Sequence, residues 1–363
     1  MSKRIAFFIA QHHGSGVPLA QMRLAKALHR RGYCVEFIIG YVPNGLSLPV
    51  MEGIKVVNLN VPRAYKMFLP VFSYIRRMKP DVIFSAEDHL NAIVTIAAIL
   101  ARSKVKISAS SRITPYRVFS NRLFSKKWFL KWFSIFLRRR IDSLVCVSED
   151  MVKEYEAILG PSKYECIYNV ICDSDMRQRM LEPVDDPWLS DASIPVVISA
   201  GTLSGRKGFA DLILAMKIVT DRMPARLVIL GEGPRRSDLE GLIETSGLAD
   251  CVRLPGFQQN PLKYFSRSRV FVLSSYAEGL PNVLVEAMAC GCTPVATDCP
   301  TGPREVLKGG QIGHLIPMRN PAAMAHAIEL ALQRPMSQES LDEAVKPFTE
   351  DRVVEKHRSV LGM

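Results

Sequence analysis

The sequence predicts an α/β protein made of two doubly wound parallel-sheet domains. Short runs rich in valine and isoleucine alternate along the chain with longer amphipathic segments, which is the pattern of parallel strands joined by crossover helices. This alternation pauses once, over the polar, proline-bearing residues 173–195, and then begins again. With 363 residues, of which 48% are hydrophobic, the chain is long enough for two such domains.

In the first half, the apolar runs predict strands that are joined mainly by helices. A loop through His13, Gly14, Ser15 and Gly16 follows the first strand, and a helix then runs from about Leu19 and stops at Gly32. The predicted strands are residues 4–10, 35–39, 54–59, 82–85, 105–109 and 144–147. We expect residues 1–172 to form the first domain.

The second half repeats the pattern without a fixed-period sequence repeat. We expect residues 173–346 to form the second domain, with residues 173–195 as a linker or first peripheral loop. Its predicted strands are residues 195–200, 227–230, 252–254, 270–273 and 294–297. The last segment, residues 347–363, carries a helix at 350–361 whose apolar positions require a partner surface, and this helix could return to the first domain.

Several classes of protein are excluded by what the sequence lacks. The uncharged apolar run at residues 90–101 is shorter than the roughly 20 residues that cross a bilayer. Residues 5–10 are too short for the apolar core of a signal peptide, so export is not expected. The eight cysteines include no Cys-x-x-Cys pair, which indicates reduced thiols in a cytoplasmic protein and argues against structural zinc.

The charge is divided unevenly along the chain. The overall net charge is +12, but residues 1–180 carry +15 and residues 181–363 carry −3. Between Asp88 and Asp142 there are twelve basic residues and no acidic one. Within this stretch, residues 112–140 interleave lysines and arginines with aromatic residues such as Trp128 and Trp132, which is typical of a helix in an anionic membrane interface. The alternative is that this helix simply packs on the sheet of the first domain.

Residues 274–291 predict an anion-binding site between a strand and a helix. A strand ends near Ser274, a loop carries Glu278 and Gly279, and Pro281 stands where the first turn of a helix would begin. The backbone N–H groups of Leu280, Asn282 and Val283 would then point out of the helix start, an arrangement suited to a diphosphate. Glu286 follows one turn into the helix, so its carboxylate could reach a ribose hydroxyl while that of Glu278 faces a sugar.

This segment resembles the Glu-x7-Glu signature of the retaining glycosyltransferases of family 4. Four more segments agree with the family in order: the Gly14 and Gly16 loop, residues 201–209, residues 230–234 and residues 299–305. The resemblance covers nearly the whole chain and is sharpest from about Ser199 to Glu305. It implies the GT-B fold, in which two Rossmann-like domains face each other across a cleft, the first binding the acceptor and the second a nucleotide sugar.

The resemblance also implies roles for individual residues of the second domain. Arg206 and Lys207 look like the basic pair that neutralises the donor diphosphate, Glu286 like the carboxylate that holds the ribose, and Glu278 like the residue beside the transferred sugar. Thr202 stands where many relatives carry arginine, so one phosphate contact is missing. The remaining donor-site candidates are Gly14, Gly16, Gly233, Phe257, Gly279, Leu280, Pro281, Asn282 and Val283.

The first domain offers weaker candidates. Family members often place a histidine near the reacting sugar, and His12, His13 and His89 are each possible. His89 is the candidate catalytic residue among them, although a helix cap formed by Asp88, with His89 in the first turn, explains the same residues equally well. Ser110, Ser111 and Arg112 end the next predicted strand and could line the acceptor side.

Family resemblance implies transfer of a hexose or N-acetylhexosamine from a nucleotide diphosphate sugar, most simply a uridine diphosphate sugar. The acceptor would be a glycan, lipid-linked at the inner face of the cytoplasmic membrane, as in bacterial polysaccharide or lipopolysaccharide synthesis. No cofactor and no metal are expected, and Asp173 and Asp175 are read as surface or hinge residues. Nucleic acid is not expected as a partner. The alternatives are a GT-B sugar-nucleotide epimerase and a non-catalytic basic membrane or RNA adaptor on the same scaffold.

Overall fold

The computed structural model describes residues 2–12, 16–191 and 193–363, and it divides into two compact units. Unit 1 comprises Met1–Ile171 and Thr349–Met363, and unit 2 comprises Cys172–Phe348. The sequence placed the corresponding boundaries after residues 172 and 346. Both units are parallel-sheet α/β folds, which confirms the predicted class.

Unit 1 contains, among the described residues, a seven-stranded parallel sheet in the order β3-β2-β1-β4-β5-β6-β7. Apolar residues of its strands are buried on both faces, against α1 on one side and α2 and α3 on the other. Its strands are β1 (Arg4–Gln11), β2 (Cys34–Tyr41), β3 (Lys55–Asn58), β4 (Val82–Ala86), β5 (Lys106–Ser111), β6 (Ser143–Cys146) and β7 (Tyr164–Cys166). Its helices are α1 (Val17–Arg30), α2 (Phe68–Met78), α3 (Asp88–Leu100), α4 (Pro115–Val118), α5 (Lys126–Leu137) and α6 (Glu149–Leu159).

Unit 2 contains, within the part of the chain that is described, a six-stranded parallel sheet in the order β10-β9-β8-β11-β12-β13. Its strands are β8 (Val196–Ala200), β9 (Arg226–Leu230), β10 (Val252–Gly256), β11 (Val270–Leu273), β12 (Thr293–Thr297) and β13 (His314–Ile316). Its helices are α7 (Met176–Leu181), α8 (Pro187–Ser190), α9 (Phe209–Thr220), α10 (Arg236–Thr245), α11 (Leu262–Phe265), α12 (Asn282–Ala289), α13 (Pro303–Val306), α14 (Pro321–Gln333) and α15 (Gln338–Val345).

The predicted strands are all present, and of the strands in the described residues the sequence analysis missed two short ones, β7 and β13. Each of these has three residues and pairs with a single neighbour at the sheet edge. Their sequences, Tyr-Glu-Cys and His-Leu-Ile, are too short and too polar to give an apolar run.

The interpretation of residues 173–195 as a linker was wrong. The segment forms α7 and α8, and Trp188 of α8 is buried in unit 2. The guanidinium groups of Arg253 and Arg226 lie 3.8 Å and 5.4 Å from the centroid of a Trp188 ring. Cation–π contacts with β9 and β10 therefore hold this polar-looking segment against the sheet.

The last helix, α16 (Glu350–Leu361), belongs to unit 1. Val353, Val354 and Leu361 are buried in the same core cluster as residues of β1 and α1. The ammonium groups of Lys3 and Lys106 bond the carbonyls of Gly362 and Leu361, which places positive charge at the negative end of the helix dipole.

Of the helices in the described residues, none combines the length and the apolar character that crossing a bilayer requires. All eight cysteines lie in the described residues, and none of them is in a disulfide bond.

Candidate functional site

The clearest candidate site lies at the carboxyl edge of the unit 2 sheet. Strand β8 has β9 on one side and β11 on the other, so the direction in which strands are added reverses between β8 and β11. Ligands of open α/β sheets bind at such a switch point. The loops that leave it here are residues 201–208, after β8, and residues 274–281, after β11. These segments contain six of the residues that the sequence analysis assigned to the donor site: Arg206, Lys207, Glu278, Gly279, Leu280 and Pro281.

The two loops are locked together by close backbone contact. Gly208 has φ +63°, and a Cβ atom at this position would lie 2.0 Å from the carbonyl oxygen of Ser274. The hydroxyl of Ser274 donates to the backbone carbonyl of Lys207 at 2.7 Å. The backbone N–H of Tyr276 donates to the backbone carbonyl of Arg206 at 2.8 Å. Only glycine fits at position 208, because any other residue would push the loops apart.

The loops bring Lys207 and Glu278 into contact across 71 positions of sequence. The Lys207 ammonium group donates to Glu278 Oε1 at 2.6 Å, and their side chains are only 12% and 9% exposed. The hydroxyl of Ser275 donates to the same oxygen at 2.6 Å. Arg206 lies 3.5 Å from the second carboxylate oxygen and donates to the carbonyl of Ala277 at 2.6 Å, with 44% of its side chain exposed. Three of the predicted catalytic residues therefore form one cluster.

Ser275 is a member of this cluster that the sequence analysis missed. Its hydroxyl fixes the carboxylate of Glu278, three residues later in the same loop. The sequence signal was the three-residue spacing, because the hydroxyl of a serine in a loop can donate a hydrogen bond to a group a few residues away.

The start of α12 differs from the prediction by one residue. Pro281 is the N-cap residue, with ψ 79°, and the helix begins at Asn282. The N–H of Asn282 donates to the carbonyl of Leu280 at 2.9 Å, so the prediction of three outward-pointing N–H donors was wrong for this group. The reason is that the chain turns sharply at Pro281 before the helix starts. Gly279 lies in the preceding loop, Val283 in the first turn, and Glu286 half-buried in the second turn.

The other two predicted donor residues lie in the loops after β9 and β10. A Cβ atom at Gly233 would lie 2.5 Å from the carbonyl oxygen of Leu203, so this glycine allows the loops after β8 and β9 to touch. Phe257 follows β10 directly and is 66% exposed. It lies at the same edge of the sheet, but β9 and β8 separate its strand from Glu278.

In unit 1, His89 lies at the carboxyl end of β4, in the first turn of α3. Its Nε2 atom is 3.3 Å from a carboxylate oxygen of Glu87, and burial lowers the pKa of the imidazole. The alternative of an Asp88 cap was wrong, because Glu87 is the N-cap residue and no side chain caps this helix. The half-buried Asp88 instead accepts from Ser111 Oγ at 2.8 Å and Tyr155 Oη at 2.9 Å, and desolvation raises its pKa.

Two more candidates of unit 1, His12 and Gly16, follow strand β1, which pairs with β4. His12 is buried, and its backbone N–H donates to the backbone carbonyl of Tyr41 at 3.0 Å. Gly16 is the N-cap residue of α1, with φ 60°. Gly14 and His13 lie outside the described residues.

Asp173 and Asp175 lie in unit 2, before α7. A carboxylate oxygen of Asp173 accepts from Arg179 at 2.5 Å, and Asp175 is the N-cap residue of the helix. Across residues 2–12, 16–191 and 193–363, no group of three histidine, cysteine, aspartate or glutamate side chains is arranged to hold a metal ion.

Two family models match the chain. The model described as glycosyl transferases group 1 matches residues 185–347, and the one described as glycosyltransferase family 4 matches residues 15–174. The first match covers the cluster around Lys207 and Glu278, and the second covers His89 and the basic stretch.

Similar proteins are glycosyltransferases of archaea and bacteria. An uncharacterized glycosyltransferase of Methanocaldococcus jannaschii is 32% identical over 71% of this chain and 64% of its own length. The N-acetylgalactosamine-N,N'-diacetylbacillosaminyl-diphospho-undecaprenol 4-alpha-N-acetylgalactosaminyltransferase of Campylobacter jejuni is 36% identical over 51% of this chain and 48% of its own length. A lipopolysaccharide core biosynthesis glycosyltransferase of Rhizobium meliloti is 30% identical over 60% of this chain and 61% of its own length. Each match thus spans less than two thirds of the relative.

Solved structures show the same architecture. The Anabaena protein HepE, in complex with UDP and glucose, superimposes with a TM-score of 0.76 at 18% identity, over 99% of each chain. At this identity the likeness establishes the fold, two parallel-sheet α/β units of the GT-B type.

Proposed function

The chain belongs to glycosyltransferase family 4, and on this premise we propose that it transfers a hexose or N-acetylhexosamine from a uridine diphosphate sugar to a lipid-linked glycan. The reaction would retain the configuration of the sugar and serve bacterial polysaccharide or lipopolysaccharide synthesis. The Campylobacter and Rhizobium relatives support this role, since the first is named for transfer to a diphospho-undecaprenol-linked sugar and the second for lipopolysaccharide core biosynthesis.

The observation that carries the proposal is the cluster of Lys207, Arg206 and Glu278 at the switch point of unit 2. A nucleotide diphosphate gains negative charge as the sugar leaves, and fixed cations stabilise that charge in a partly enclosed site. Lys207 and Arg206 supply two such cations. When the diphosphate engages Lys207, the carboxylate of Glu278 would be released to accept hydrogen bonds from hydroxyls of the transferred sugar.

This arrangement needs no metal ion or other cofactor. The acceptor hydroxyl would form its bond to the anomeric carbon on the face from which the diphosphate departs. The bond between that carbon and the phosphate oxygen breaks, and the leaving phosphate takes the proton of the acceptor hydroxyl. The contribution of the protein is then positioning and charge stabilisation.

Helix α5 is the feature of unit 1 that favours a membrane-borne acceptor. Of its twelve residues, all of them described, only Leu137 is buried. Four aromatic residues of the helix are exposed by 46% to 77%: Phe129, Trp132, Phe133 and Phe136. The alternative that this helix simply packs on the sheet gives no reason for so much exposed aromatic surface.

Basic residues accompany this apolar surface. Lys126 and Lys127 in the first turn of α5 are exposed, and Arg122 precedes the helix. Aromatic side chains that enter the interface and lysines that meet anionic headgroups would hold unit 1 at the inner face of the cytoplasmic membrane. A lipid-linked acceptor is found at such a surface, whereas a nucleic acid partner would leave the cluster of Lys207 and Glu278 in unit 2 without a role.

The test is glycosyl transfer by the Glu286→Ala variant, with labelled donor and a lipid-linked acceptor. We expect turnover to be lost while the protein remains folded, since Glu286 would hold the donor ribose. Glu244→Ala, at an exposed position near the end of α10, is the matched control and should transfer as the wild type does. Wild-type turnover by Glu286→Ala would contradict the donor site, and conversion of the donor without any acceptor would indicate an epimerase instead.

A further inference from the structure

Arg112 follows the last residue of β5, at the carboxyl edge of the unit 1 sheet. Because side chains alternate along a strand, Ser108, Ser110 and Arg112 share one face of the sheet, while Ser111 points to Asp88 on the other face. The Nε and Nη1 atoms of Arg112 are buried without a hydrogen-bond partner in the described part of the chain. The residue as a whole keeps part of its surface exposed.

Among the described residues, no acidic group is found to compensate the charge of this guanidinium group. His357 of α16 lies nearby, and burial together with Arg112 lowers the pKa of its imidazole to about 3, so it is neutral at pH 7. The thiol of Cys146 is also close, and burial raises its pKa far above 9, so it carries no charge either. Burial lowers the pKa of Arg112 itself to about 10.

A buried cation without a partner destabilises a folded protein unless something else supplies the opposite charge. A second donor is available on the same face, because the hydroxyl of Ser110 is buried and likewise has no partner among the described residues. A planar guanidinium group with unused N–H donors matches the geometry of phosphate oxygens.

We propose that Arg112 and Ser110 bind the diphosphate through which the acceptor glycan is linked to its lipid. This inference rests on the proposed function and adds to it a binding site at the carboxyl end of β5. A diphosphate carried on a lipid and a soluble diphosphate share this chemistry, so the experiment includes one probe of each kind.

The experiment measures binding of farnesyl diphosphate and of inorganic pyrophosphate to the full chain by calorimetry. Each titration is run with and without excess UDP, so that binding at the donor site of unit 2 and competition by UDP at Arg112 are both detected. We expect Arg112→Gln to weaken the binding of farnesyl diphosphate by about tenfold or more. Arg112→Lys, which keeps the charge and loses the fork, should lie in between. Arg77→Gln removes the same charge from an exposed position on α2 and should bind as the wild type does.

Thermal unfolding separates this role from a purely structural one. If Arg112 is an anion receptor, ligand-free Arg112→Gln should melt at the wild-type temperature or above it, because an uncompensated buried charge has been removed. The rise in melting temperature that farnesyl diphosphate causes in the wild type should be lost in the variant. A lower melting temperature combined with unchanged affinity would show that Arg112 only supports packing, and would overturn the proposal.

The two probes distinguish the source of the diphosphate. Tighter binding of farnesyl diphosphate than of pyrophosphate, with both weakened by Arg112→Gln, supports a lipid-linked ligand. Equal affinities, both weakened, support a site for a soluble diphosphate. Failure of the wild type to bind either probe, or no change in Arg112→Gln and Arg112→Lys, refutes the site. None of these results depends on Glu286, so the proposed function can fail or stand independently.

Discussion

Replacing Lys207 with methionine tests whether the cluster in unit 2 exists for binding or for stability. The change removes an ammonium group that lies 2.6 Å from Glu278 and leaves a carboxylate whose side chain is 9% exposed. The hydroxyl of Ser275 and the guanidinium group of Arg206, 3.5 Å away, remain to support that carboxylate.

The expected loss of stability lies between two limits. Exposed ion pairs contribute about 0–1 kcal/mol, whereas breaking a fully buried pair costs about 3–5 kcal/mol. With Lys207 at 12% exposure and two remaining partners for Glu278, we expect about 2 kcal/mol. For a unit of this size, that corresponds to a melting temperature lower by about 4–8 °C.

The expected loss of activity is larger. If Lys207 stabilises the charge that develops on the departing diphosphate, its removal should lower the rate of transfer by about 10²–10³. The assay is steady-state transfer from a labelled sugar nucleotide, with thermal unfolding measured on the same samples. Lys217→Met is the matched control, since Lys217 is 47% exposed and forms an ion pair with Asp221 on the surface of α9. This control should change stability by less than about 0.5 kcal/mol and leave the rate unchanged.

A double variant separates the two roles. Lys207→Met combined with Glu278→Gln removes both charges, so part of the lost stability should return, because no unpaired carboxylate remains. Activity should not return, since the diphosphate would still lack its cation and the sugar its carboxylate. Full transfer by Lys207→Met, or restored transfer by the double variant, would show that the pair is only a structural bridge and would refute the reasoning.

Three further results are expected. Replacing Lys126, Lys127 and Lys131 with glutamate should release the protein from anionic vesicles. The same charge reversal at Lys217, Lys308 and Lys346 of unit 2 is the control and should leave vesicle binding unchanged. Unchanged vesicle binding of the first variant would contradict an interfacial role of α5. Treatment with a chelator should leave the transfer rate unchanged, and a strict requirement for Mn²⁺ would instead point to Asp173 and Asp175. Because burial lowers the pKa of His357 to about 3, from about 6.5 in the unfolded chain, the unfolded state binds more protons between these values. Stability should therefore fall with decreasing pH across this window, by up to about 1.4 kcal/mol per pH unit more than in His357→Gln, and equal slopes in denaturant titrations would refute the assignment.

The proximity of Lys207 and Glu278 could be predicted because its signals are local. Lys207 and Glu278 each stand in a short loop just after a strand, and strands are readable from their apolar runs. Doubly wound sheets then bring such loops together, since β8 and β11 are neighbours although 69 residues separate the end of one from the start of the other.

What the sequence did not predict depends on contacts between distant elements. Trp188 and its flanking aspartates have the composition of a polar linker. The segment packs on unit 2 because Arg226 of β9 and Arg253 of β10 make cation–π contacts with Trp188. Asp88 looks like a helix cap, but Ser111 and Tyr155 bind its carboxylate from other elements. The local sequence pattern does not indicate which side chain of a distant element will contact a polar residue.

Lys207 in unit 2 and Arg112 in unit 1 have different surroundings, and this difference determines how a diphosphate would bind to each unit. In unit 2, Lys207 is paired with Glu278, so a diphosphate must separate an existing ion pair, and part of its attraction to Lys207 offsets that separation. In unit 1, the buried N–H donors of Arg112 have no hydrogen-bond partner among the described residues, so an anion would satisfy groups that are otherwise desolvated at a cost. Removing the partner carboxylate should therefore strengthen diphosphate binding in unit 2 while impairing transfer. Glu278→Gln is expected to bind UDP at least as tightly as the wild type and to transfer sugar far more slowly. Weaker UDP binding by this variant would mean that Glu278 positions the cations instead of competing for them.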